Sequence, residues 1–143
     1  METKNIKIAI VSSMFWPEIT ENLEKHCIKT LKAKGVIDEN IEVVHVPGAL
    51  EIPFVAQKLA RKNIYNAIIT FGVIVKGGTY HFEQVANECI RGCMDVSRRY
   101  EIPVIFEVLV VYKVEDAIER ETDKGVEAAE TAIEMVRVIN KLQ

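Results

Sequence analysis

The chain has 143 residues, of which 49% are hydrophobic and 27% charged, with a net charge of −3. That length suits a single domain, 1–143, with a core of its own. The acidic balance and the absence of a basic stripe argue against a nucleic-acid partner, no apolar run is long enough to span a bilayer, and Met1–Asn5 has no leader character, so a cytoplasmic protein is expected.

Residues 6–13 are rich in β-branched side chains and predict a first strand, which Met14–Pro17 ends. Ile19, Leu23, Cys27 and Leu31 then share one helical face until Gly35. Residues 41–46 predict a second strand closed by Pro47 and Gly48. Residues 49–62 predict a helix with Ile52, Val55, Ala56 and Leu59 inward and Pro53 in its first turn. The apolar run 67–71 predicts a buried third strand. Residues 82–99 predict a helix with Val85, Ala86, Cys89, Cys93 and Val96 on one side. Residues 103–111 are apolar nearly throughout, as a central parallel strand is. A short helix over 115–120 and a last one over 125–142, with Val126, Ala129, Ile133 and Val136 inward, complete the chain. Lys58, Arg61, Lys62, Arg98 and Arg99 close predicted helices, where cations suit the dipole. Cys27, Cys89 and Cys93 lack metal-ligand spacing and read as reduced core thiols.

Strands alternating with helices predict an α/β fold whose parallel sheet is covered on both faces. Ligands of such sheets bind beyond the carboxyl ends of the strands, near a switch in topology. That rule gathers Phe15 and Trp16 after strand one, Gly48–Glu51 after strand two and Lys76–His81 after strand three on one rim. The last stretch holds a cation, two glycines, a hydroxyl and an imidazole just before a helix, a setting that welcomes an anion beside a group that titrates near neutrality. His81 reads as a proton-transfer group, or as a cap for the helix. The rings of Phe15 and Trp16 suit a planar heterocycle, or an interface plug. Glu51 at a helix start, and Arg120 and Lys124 at a helix break, have solvated roles open to them as well. His26 is expected to be exposed and His45 structural.

Taken together, Val46-Pro47-Gly48-Ala49-Leu50-Glu51-Ile52-Pro53, Gly72-Val73-Ile74-Val75-Lys76-Gly77-Gly78-Thr79-Tyr80-His81, Pro103-Val104-Ile105-Phe106 and Glu115-Asp116-Ala117-Ile118-Glu119-Arg120 resemble, in order, the 6,7-dimethyl-8-ribityllumazine synthase family of riboflavin biosynthesis. The resemblance implies a flavodoxin-like three-layer αβα sandwich with a four-stranded parallel sheet, assembled as pentamers or multiples of them. It implies condensation of 5-amino-6-ribitylamino-uracil with 3,4-dihydroxy-2-butanone 4-phosphate, with no metal and no organic cofactor. By position, Phe15, with Trp16 beside it, would meet the pyrimidine. Gly48, Ala49, Leu50 and Glu51 would hold the ribityl chain, helped by Val73, Ile74, Val75 and Lys76. Gly78, Thr79, Arg120 and Lys124 would bind phosphate, and His81 would move protons. Phe106, Arg120 and Lys124 would come from the adjacent subunit.

Several positions depart from the family pattern. Glu107-Val108-Leu109-Val110-Val111-Tyr112-Lys113 stands where Gly-Val-Leu-Thr-Thr-Asp/Glu-Thr is usual, which puts a carboxylate inside a strand. Trp16 replaces a usual asparagine and Lys76 a usual arginine. The join 121–125 is four residues short, so a pentamer or a facing pair of pentamers is expected rather than a sixty-subunit shell. The competing reading is a related structural or flavin-binding oligomer with weak or no catalysis.

Overall fold

The computed structural model describes residues 2–143; Met1, the first residue of the polar start, lies outside them. Four strands, β1 (Ile8–Ser13), β2 (Ile41–Val46), β3 (Ala67–Val75) and β4 (Val104–Val111), alternate with helices α1 (Pro17–Ala33), α2 (Ile52–Ala60), α3 (His81–Tyr100), α4 (Val114–Ile118) and α5 (Glu121–Leu142). All pairings are parallel and the order is β2-β1-β3-β4. β1 and β3 are buried along nearly their whole length because helices cover both faces. One face, built on Ile8, Ile10, Phe71 and Leu109, lies under α1, α4 and α5. The other, built on Val11, Ile68, Ile74 and Val108, lies under α2 and α3. Cys27, Cys89 and Cys93 are buried free thiols in these cores. No helix is long and apolar enough to cross a membrane.

Three differences from the sequence reading have clear causes. β3 runs on to Val75 rather than stopping at Phe71, and Val75 stays in register with Val111. Gly72 lies inside this longer strand, and a Cβ there would meet Ser13 Oγ at 2.7 Å, so the glycine makes room for the neighbouring strand's side chain. β4 is an edge strand, not a central one. Its apolar composition reflects helices on both faces, while Val110 near its end is exposed. The last helix begins at Glu121, four residues before the glycine expected to start it, so only Glu119 and Arg120 separate α4 from α5. Gly125 sits where α5 crosses α1, and a Cβ there would come within 2.6 Å of the Leu23 carbonyl oxygen. α5 therefore packs through Gly125, Ala128, Ala129 and Ala132, with Val126 only half-buried.

The α1/α5 face also carries a polar row. In register across the sheet stand His45, Ser12, Phe71 and Glu107, and parallel pairing turns all four to the same side. At one edge His45 Nε2 lies 3.0 Å from both carboxylate oxygens of buried Glu24. At the other, half-buried Glu107 shares a hydrogen bond with Glu127 of α5, and Lys124 Nζ lies 2.9 Å from Glu127. Glu107 was expected to want a partner, and these are its partners. Burial first, then Glu127, pushes its carboxyl up to about 7, while Lys124 pulls the other way. The Cys27 thiol between the two edges is pushed up by burial and then by Glu24 and Glu107.

Two outcomes are expected. Gly125→Ala should lower stability by about 1–3 kcal/mol, because a methyl group would push α1 and α5 apart; an unchanged urea midpoint would mean the crossing yields freely. For Glu107, the folded chain keeps a proton that the unfolded chain has lost between pH 4.5 and about 7, so this group costs stability as pH rises through that window. Glu107→Gln should therefore raise the midpoint at pH 8 relative to the parent chain but leave it little changed at pH 4. A gain of equal size at both pH values would contradict the assignment.

Candidate active site

The rim beyond the strands is set by connectivity. The chain leaves β1 toward β2 and leaves β3 toward β4, and the two departures open a crevice between them. On the α2/α3 side this crevice is a cavity of about 430 Å³. Phe15 forms one wall, two-thirds exposed and free to face a ligand. Gly48, Ala49, Leu50 and Glu51 form a second, shaped by a 3₁₀ turn over Ala49–Glu51. Gly48 is extended there, and a Cβ on it would sit 3.2 Å from Glu51 Oε1, so the glycine keeps room for that carboxylate. Val73, Ile74 and Val75 supply the floor as the last residues of β3.

The far wall is the loop into α3. Thr79 and His81 line the cavity, and the His81 N–H donates to Thr79 Oγ1 at 3.4 Å. Gly77 and Gly78 have nothing within 4 Å of where a Cβ would stand, so no packing demands glycine at either position. Open space above a bare backbone that leads into a helix start is what an anion with several oxygens needs. His81 is exposed and stands at the end of this loop, in the lining of the same cavity.

Other predicted residues lie elsewhere. Phe106 is half-buried against the α2/α3 core. Arg120 donates to the Asp116 carbonyl at 2.7 Å, its side chain half exposed. Lys124 is held by Glu127 within the first turn of α5. None of the three lines the cavity of its own chain. Lys76 turns away to place Nζ 5.4 Å from the centroid of the Tyr112 ring.

Trp16 also lies outside the cavity; it lines a separate groove of about 430 Å³ with Pro17, Ile19, Val114 and Ile118. Its backbone is left-handed, with φ 69° and ψ 59°, and it caps α1 without a side-chain hydrogen bond. The left-handed region costs a bulky residue roughly 1–2 kcal/mol, and a missing N-cap about 1 kcal/mol more.

Sequence reasoning missed Phe82 and Val85 as wall residues. Val85 was placed in the core stripe of α3, yet it is only half-buried, because the first turn of α3 overhangs the cavity. Its place two residues past Glu83, at the helix start nearest the rim, was the available signal. Among the described residues no cluster of His, Cys, Asp or Glu is arranged to hold a metal ion.

The model of the 6,7-dimethyl-8-ribityllumazine synthase family matches residues 5–140. Among solved structures the chain is similar to a de novo designed Rossmann fold protein, with 15% identity over 80% of this chain and 92% of that one and a TM-score of 0.46. It is also similar to the lactose-specific IIB component domain of the phosphoenolpyruvate:carbohydrate phosphotransferase system from Streptococcus pneumoniae. There the identity is 11% over 90% of this chain and 96% of that one, with a TM-score of 0.42. Neither likeness bears on the site.

Proposed function

This chain belongs to the 6,7-dimethyl-8-ribityllumazine synthase family, and we propose that it carries out the family reaction. It would condense 5-amino-6-ribitylamino-uracil with 3,4-dihydroxy-2-butanone 4-phosphate to 6,7-dimethyl-8-ribityllumazine. The observation that carries this reading is the convergence of four separate segments on one cavity: Phe15, Gly48–Glu51, Val73–Val75 and Gly77–His81. In this reading the pyrimidine stacks on Phe15 and the ribityl hydroxyls meet Glu51 and the backbone of the 3₁₀ turn. The strand end Val73–Val75 offers edge groups to the heterocycle. Gly78 and Thr79 cradle the phosphate at the start of α3.

The chemistry asks little of the protein beyond alignment and proton traffic. The 5-amine adds to the ketone and loses water to form an imine. A proton leaves the adjacent carbon as phosphate departs, and the resulting enol takes a proton back to become a methyl ketone. The ribitylamine nitrogen closes on that ketone with loss of a second water. His81, at the junction of the phosphate loop and the cavity, is placed to take and return these protons. Phe106 and Arg120, which lie outside their own cavity, would complete the site of a neighbouring subunit, so the working form is a pentamer or a multiple of it.

A second reading, an oligomer that holds a flavin-like ligand with little turnover, draws on one observation. Lys124 is occupied by Glu127 of its own helix, which leaves phosphate to the neighbour's Arg120, itself bonded to the Asp116 carbonyl. Mixing the protein with both substrates and following lumazine fluorescence separates the two readings. Product formed well above the uncatalysed rate supports the synthase, and product at the uncatalysed rate supports the second reading.

Two variants test the roles. His81→Ala should slow turnover by about 10²–10⁴-fold without abolishing it, since the reactants are already activated; an unchanged rate would remove His81 from the proton path. Arg120→Ala should weaken the phosphorylated ketone by about 1.5–3 kcal/mol and leave the pyrimidine nearly untouched. Equal losses for both substrates would refute a phosphate role.

A further inference from the structure

Trp16 stands in a position that its own residue type does not suit. Its backbone is left-handed at φ 69°, a region open to glycine and asparagine and strained for a bulky side chain. It precedes Pro17, and a residue before proline is normally driven to extended backbone. It caps α1 by its carbonyl alone, accepting from the N–H groups of Ile19 and Thr20 at 3.2 and 3.3 Å, where an asparagine side chain would supply a further cap. Strain of this kind persists where a local gain offsets it, and such positions concentrate at functional sites.

The gain is visible next door. The Trp16 and Phe15 rings meet edge to face, with centroids 6.2 Å apart and planes at 90°. Phe15 is 67% exposed, so its ring is lightly held by the rest of the chain. The left-handed turn sends the two adjacent side chains to opposite sides of the rim: Phe15 lines the cavity and Trp16 the groove behind it. Pro17, Ile19, Val114 and Ile118 line that groove together with Trp16, between α1 and α4.

We infer that Trp16 is a positioning residue, whose indole braces the Phe15 ring over the mouth of the cavity so that the ring is preorganised as a stacking platform for a planar heterocycle. The inference rests on the proposed reaction for the identity of that heterocycle. The brace itself does not depend on it.

Trp16 is the sole tryptophan, so its emission reports this contact directly. Phe15→Leu, with no ligand present, should shift the emission maximum, because the indole loses its partner ring; an unmoved spectrum would overturn the brace. Trp16→Asn should melt higher by about 5 °C, as backbone strain is relieved and a cap gained. The same variant should raise KM for the pyrimidine about 2–10-fold and leave KM for the phosphorylated ketone unchanged. Trp16→Phe, which keeps an aromatic edge, should restore most of the pyrimidine KM. A stabilised Trp16→Asn with both KM values unchanged would overturn the inference, as would a variant whose stability and KM worsen together. If the parent chain makes no lumazine, the proposed reaction fails, and the emission and melting results then judge the brace alone.

Discussion

The reversal of winding between β1 and β3 is the constraint on which the site depends. A parallel sheet brings all its strand ends to one rim, and connections of fixed hand send successive helices to chosen faces. Here α1 leaves on one face and α3 on the other, so the chain cannot close over the gap between them. The cavity lies at that gap and draws its walls from what happens to follow each strand. Long-range order of this kind needs only buried strands and short connections; Val73 and Ile74 of the floor belong to that buried frame, while Phe15, Thr79 and His81 ride on it exposed.

The frame was legible because its signals are periodic. Runs of β-branched residues and helical stripes of aliphatic ones mark four strands and five helices, and the rim rule then collects Phe15, Gly48–Glu51 and Thr79–His81 before any contact is known. What was misread involves residues with more than one use. Gly72 falls past the expected end of the third strand, but it lies within β3 and makes room for Ser13 of the neighbouring strand. Gly125 reads as the start of the last helix, but here it lies inside α5, where that helix approaches α1 closely. In both cases the glycine answers a neighbour distant in sequence, which nothing local marks. β4 likewise reads as central, since composition registers the helices on its faces and is blind to the missing neighbour at its side.

Trp16 was misplaced for a different reason. Side-chain type suggested that both rings share one site, but Phe15 lines the cavity and Trp16 a separate groove. The backbone angle, which no pattern of hydrophobicity encodes for a tryptophan, decides that one ring meets the cavity and the other supports it from behind.

The departures from the family pattern near the end of the chain form a single coupled change. A carboxylate at position 107, where glycine is usual, is partly withdrawn from water and so needs either a proton or a cation. The short join brings α5 forward by starting it at Glu121, and that places Lys124 in its first turn, one helical turn before Glu127 and beside Glu107. Lys124 thus offsets the charge of Glu107 while it pairs with Glu127. Lengthening the join alone would strand Glu107, and removing Glu107 alone would leave Lys124 bound only to Glu127. Glu107 and the start of α5 at Glu121 are therefore parts of one arrangement, joined through Glu127 and Lys124.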